Sequence, residues 1–106
     1  MKVLFICNQN ENRSKTAEEL FSSQYETKSA GLYNEKPVNE QQLNWADIVV
    51  VMEETQRKEL AKRFPKQYLK KQILSLDIPD VYFYNQPELI EVLKEKMSKL
   101  VEPLIK

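Results

Sequence analysis

The chain has 106 residues, 42% of them hydrophobic and 30% charged, with sixteen Lys plus Arg against sixteen Asp plus Glu. That is enough apolar surface for one small core of two or three layers, and too much for a disordered chain. Zero net charge excludes a basic footprint for nucleic acid and a polybasic membrane patch. The lack of histidine excludes a Ser-His-Asp triad, a Cys-His dyad and any His-bearing zinc site, so no metal is expected. A single cysteine excludes an intrachain disulfide and a Cys-x-x-Cys motif. The apolar run at residues 3–7 is too short for a signal-peptide core or a membrane span. The expectation is one soluble, cytoplasmic domain over residues 1–106 with a free thiol.

Short apolar runs alternate with helical patterns, the rhythm of a parallel sheet flanked by helices. Residues 3–6 read as a strand buried on both faces. From Ser14 onward Ala17, Leu20, Phe21 and Tyr25 recur at helical spacing. Residues 27–30 read as a second strand ended by Gly31, and residues 39–45 carry a weak helical pattern. The clearest strand covers residues 47–52, followed by a charged helix over 53–64 that stops before Pro65. Residues 72–76 read as a fourth strand. A last helix runs from Pro87 to about Ile105, with Leu89, Ile90, Leu93, Met97, Leu100 and Val101 as its apolar stripe. Pro87 suits its first turn, and Pro103 frays or kinks its end. Strict alternation predicts an α/β fold: a doubly wound, four-stranded parallel sheet with helices on both faces. Such sheets bind ligands beyond the carboxyl ends of their strands. The only cysteine lies at the end of the first.

Cys7-Asn8-Gln9-Asn10-Glu11-Asn12-Arg13-Ser14 sets a cysteine, five residues, an arginine and a serine between a strand and a helix. A loop entering a helix N-terminus presents unpaired backbone N–H groups, a cradle for an oxyanion such as phosphate. Those donors and the helix dipole favour Cys7 as a thiolate nucleophile. Arg13 can hold two phosphoryl oxygens with its planar fork. The Ser14 hydroxyl can donate to the sulfur as the thiolate forms and leaves. With only one glycine in the chain, asparagines must serve at left-handed backbone positions. The bland alternative is a small core cysteine beside a solvated arginine.

At these residues the chain resembles the low-molecular-weight protein tyrosine phosphatases, whose signature is an N-terminal strand running into cysteine, five residues, arginine and serine. Further resemblance lies in Asn10, at the place of the family's left-handed loop asparagine, and in Ser29-Ala30-Gly31. It continues in the stretch from Asp47 to Met52-Glu53-Glu54, and in Ile78-Pro79-Asp80-Val81-Tyr82-Phe83, similar to the segment that supplies the family's general acid. The resemblance implies a phosphatase I-like sheet of order 2-1-3-4 and a cysteine-dependent phosphatase of the protein tyrosine phosphatase type, which hydrolyses a phosphotyrosine protein or a small phosphomonoester through a phosphocysteine intermediate without a cofactor. It implies a phosphate site over Asn8, Gln9, Asn10, Glu11, Asn12, Arg13 and Ser14, with Cys7, Arg13 and Asp80 catalytic. The chain departs from the family in being shorter, in Gln9 for the usual loop glycine, in Asn12 for a second loop cysteine, and in Val81 for a proline.

A phosphate ester leaves as an alkoxide or phenoxide, so an acid must supply a proton. Asp77 and Asp80 both follow the fourth strand. The resemblance aligns Asp80 with the family's acid, and Asp77 is the alternative. Tyr82 and Phe83 could stack on an aryl leaving group, or be core. Glu11 is the unexpected residue, a carboxylate in a phosphate loop that would repel acidic substrates unless turned outward. The expected partner is a phosphorylated substrate, neither nucleic acid nor membrane. Rival readings are an arsenate reductase-like enzyme using an external thiol, a cysteine-phosphorylated sugar phosphotransferase subunit, and a catalytically weak phosphate-binding module.

Overall fold

The computed structural model describes residues 1–105, so Lys106 of the expected domain lies outside the described residues. Its four strands are β1 (Lys2–Cys7), β2 (Glu26–Gly31), β3 (Ile48–Val51) and β4 (Gln72–Ser75). All pair in parallel in the order β2-β1-β3-β4, as the sequence predicts. The alternation of β1 explains the arrangement, because successive side chains of a strand point to opposite faces. Val3, Phe5 and Cys7 join one core with Ala17 and Phe21 of the first helical region and Leu89, Leu93 and Met97 of the last. Leu4 and Ile6 join the other, with Leu43 and Leu60. β1, apolar from Val3 to Cys7, therefore lies inside the sheet, covered on both sides.

The helices are α1 (Arg13–Leu20), α2 (Glu40–Trp45), α3 (Glu54–Arg63), α4 (Pro65–Lys70), α5 (Pro87–Leu100) and α6 (Glu102–Ile105). Two of these differ from the four that periodicity predicts. At Phe64 the backbone leaves helical geometry (φ −133°, ψ 64°), and Pro65 starts a new short helix at its first position, where a missing N–H costs nothing. At the C-terminus α5 ends at Leu100 and Val101 intervenes before α6. Pro103 lacks the N–H that a continuous helix would need there. On the predicted stripe Leu89, Leu93, Met97 and Val101 are buried, whereas Leu100 faces solvent. No helix among the described residues is long and apolar enough to cross a membrane.

β1 has β2 on one side and β3 on the other. Beyond its carboxyl end three connections meet: the loop into α1, the Met52–Glu53 turn into α3, and the irregular segment between β4 and α5.

Candidate active site

The loop from Asn8 to Asn12 is anchored through its carbonyls and side chains. Asn8 O accepts from both Leu32 N and Tyr33 N at 2.9 Å. This close approach requires Gly31, the chain's one glycine: a Cβ there would lie 3.0 Å from Asn8 O and 2.8 Å from the Asn34 side chain. Asn10 adopts φ 58°, the left-handed conformation expected of it. Among the described residues, no hydrogen bond uses a backbone N–H between Asn8 and Ser14 as donor. The loop thus keeps its donors for a ligand at the head of α1.

Cys7 is buried at the base, its Sγ 2.9 Å from Ser14 Oγ. That hydroxyl also donates to Asn10 Oδ1 at 2.7 Å. Ser14 has one proton and two possible acceptors. With the proton on Asn10, Cys7 donates as a thiol; when the sulfur is ionised, the hydroxyl can turn to it.

Arg13 is only 1% exposed. A buried guanidinium requires acceptors, and its Nη1 donates to Glu53 Oε2 at 2.8 Å and to Ile78 O at 2.7 Å. Its Nε lies 3.7 Å from Asp80 Oδ1. Nη1 is taken, Nη2 makes no bond among the described residues, and the Nε–Nη2 edge therefore makes no hydrogen bond and faces the Asp80 carboxylate. Asp80 itself is 59% exposed. Cys7, Asn8, Gln9, Glu11, Asn12, Arg13 and Asp80 line a cavity of about 40 Å³, room for a small oxyanion.

The structure thus brings together Cys7, the loop, Arg13 and Asp80. Asp77 is exposed at φ 57° just beyond β4 and does not line the cavity. Tyr82 packs against the core and Phe83 is 78% exposed, so neither predicted aromatic lines it either. Tyr84 instead borders a larger, open depression of about 910 Å³ beside the loop, together with Glu11, Lys15, Glu18 and Glu19. Glu11 lines both hollows, at the rim between them. The Tyr84 hydroxyl donates to Glu19, and that bond raises its pKa above the ordinary tyrosine value.

Two residues of the site escape sequence reasoning. Glu53 pairs with Arg13. Buried Gln56 accepts from Met52 N and Glu53 N through Oε1, and donates to Asn8 Oδ1 through Nε2 at 3.1 Å. A signal existed for both. Glu53-x-x-Gln56 has capping-box spacing at the end of the clearest strand.

Several solved phosphatases, a low-molecular-weight protein tyrosine phosphatase among them, share the fold of this chain. A low-molecular-weight protein tyrosine phosphatase from T. tengcongensis matches with a TM-score of 0.76 at 23% identity, over 99% of this chain and 97% of that one. The tyrosine phosphatase AmsI of Erwinia amylovora matches with 0.77 at 17% identity, over 92% and 89%. The YwlE arginine phosphatase of Geobacillus stearothermophilus matches with 0.65 at 20% identity, over 92% and 84%. At these identities the likeness establishes the fold. No family model and no curated protein matches the sequence.

Proposed function

We propose that the chain, a single domain over residues 1–106, is a divergent low-molecular-weight phosphatase that hydrolyses phosphomonoesters through a phosphocysteine intermediate in the cytoplasm. The observation that carries this reading is the cavity that joins Cys7 Sγ, the free loop donors, Arg13 and Asp80. Cys7 Sγ attacks phosphorus and the bond to the ester oxygen breaks, while Asp80 hands that oxygen its proton. The loop N–H groups and the Nε–Nη2 edge of Arg13 hold the three equatorial oxygens, where charge gathers in the transition state. Asp80, now a carboxylate, takes a proton from water as that water attacks the phosphocysteine. The thiolate leaves, met by the Ser14 hydroxyl.

Glu53 has a defined part in this scheme. By occupying Nη1 it fixes the plane of the guanidinium and leaves the opposite edge to the phosphoryl group. Asp80 beside Cys7 favours hydrolysis over arsenate reduction, which needs an external thiol and no acid at this place.

The test is release of p-nitrophenol from p-nitrophenyl phosphate. Wild type should turn over without added metal or thiol. Cys7→Ser should be inactive yet still bind inorganic phosphate, since the cradle and Arg13 remain. Undiminished hydrolysis by Cys7→Ser would remove the thiolate from the mechanism. Turnover of arsenate but not of the ester, with thiol added, would favour the reductase.

A further inference from the structure

The sheet fixes Cys7, but Asp80 stands in a segment without regular structure, residues 76–86, between edge strand β4 and α5. That segment is pinned at both ends to the unit that carries the phosphate loop. At its start Arg13 Nη1 donates to Ile78 O. At its end Tyr84 N donates to Asn12 Oδ1 at 3.0 Å, and Asn85 N donates to Thr16 Oγ1 at 2.8 Å. The Thr16 hydroxyl in turn donates to Asn12 O at 2.7 Å. Thr16 is 1% exposed, so its two bonds are partly shielded from water, whereas the Tyr84–Asn12 bond lies at the surface. Asn85 turns the chain at φ 58° just before α5.

A helix-bound threonine commonly spends its proton on the carbonyl four residues back, and Thr16 does so. That local habit uses the proton alone. It leaves unexplained the lone pair that receives Asn85 N from a segment distant in sequence. It also leaves unexplained the Asn12 side chain, which reaches across to Tyr84 N.

We infer that Asn12 and Thr16 are positioning residues: together they hold the Asp80 segment over Cys7, so that the acid keeps its reach. The inference rests on the reading of Asp80 as the acid. A group held by a few bonds loses catalysis when released, because small displacements lengthen proton transfer.

The experiment compares two esters, p-nitrophenyl phosphate, whose phenoxide leaves readily, and an alkyl phosphate, whose alkoxide needs the proton. Thr16→Val keeps the shape and removes the hydroxyl; Thr16→Ser keeps the hydroxyl. Thr16→Val should lose about tenfold in kcat/KM, which reports the step that forms the phosphocysteine, on the alkyl phosphate, part of the ~100- to 10,000-fold a positioned acid supplies. On p-nitrophenyl phosphate kcat/KM should fall less than about threefold, with inhibition by inorganic phosphate unchanged, and Thr16→Ser should restore both values. Equal loss on the two esters, or no loss, overturns the inference. Should Thr16→Val not fold, Asn12→Ala is read against the same pair of esters, and a wild-type ratio of the two rates overturns it. Asp80→Asn is run beside them. If Asp80→Asn shows leaving-group dependence and the positioning variants do not, the positioning inference alone fails. If Asp80→Asn shows none, the acid assignment fails and the inference falls with it.

Discussion

Two segments meet at Cys7, and they are built in opposite ways. The phosphate loop is short and follows the central strand, its carbonyls bound to the next strand's end and its Asn8 side chain bound to Gln56. The acid segment follows an edge strand, is longer, and exposes Asp80, Val81, Phe83 and Tyr84. One is a loop whose N–H donors are unpaired among the described residues. The other is anchored at its start by buried Leu76 and Ile78, whose N–H groups donate to Val51 O and Met52 O, and beyond that by bonds from Arg13, Asn12 and α1. Charge stabilisation tolerates no reorganisation and belongs in the core, whereas a proton donor must let substrate in. The division of labour follows from strand position.

The sharpest way to break this comparison is through Arg13, which belongs to both halves. Arg13→Lys replaces a planar fork by a point charge, so the phosphoryl clamp and the bonds to Glu53 and Ile78 cannot all be kept. Turnover of p-nitrophenyl phosphate should fall by about a thousandfold or more, the usual worth of a transition-state arginine. Near-normal rates would take Arg13 out of the transition state. Next comes the acid. In kcat/KM, which reports formation of the phosphocysteine, Asp80→Asn should lose at least ~100-fold on an alkyl phosphate and much less on p-nitrophenyl phosphate. Asp77→Asn should leave both rates near wild type, because Asp77 does not line the cavity. An essential Asp77 with a dispensable Asp80 would exchange their roles.

The same contrast governs what could be read in advance. Cys7, Arg13 and Ser14 stand within a few residues of one another, so spacing brings them forward, and resemblance adds Asn10. Burial of β1 on both faces follows from its apolar run at residues 3–7, whereas the sheet order comes from the resemblance. Glu53 and Gln56 were not legible as partners of Arg13 and Asn8, because they become neighbours only when β3 lies beside β1. Tyr82, Phe83 and Tyr84 are three adjacent aromatics. Their fates differ because an irregular segment has no period from which to read its faces: Tyr82 packs inward, Phe83 faces solvent and Tyr84 reaches Glu19. The break at Phe64–Pro65 had a signal in the proline, but the five residues beyond it carry no clear stripe.

The smallest expected effect separates the two segments by pH. Tyr84 ties the acid segment to α1 by donating to the Glu19 carboxylate, a bond that ionisation would abolish. Its pKa is therefore raised, first by that hydrogen bond, then by desolvation, then by the charge of Glu19. A group whose folded pKa lies above its unfolded value stabilises the fold fully below the unfolded value, about 10 for tyrosine, and the contribution disappears as pH rises through the folded value. Tyr84→Phe should thus melt slightly below wild type at about pH 8, and the gap should close as the pH passes through the folded value, above ~10. Tyr25 is also raised, chiefly by burial and then by Glu102, but it is present in both proteins and cancels in the difference. Inhibition by inorganic phosphate at neutral pH should be identical in the two, because Tyr84 borders the open depression and not the Cys7 cavity. A gap that stays constant with pH would show that the tyrosine contributes by packing alone. Weakened phosphate binding would show that the cradle, too, depends on the acid segment for its shape.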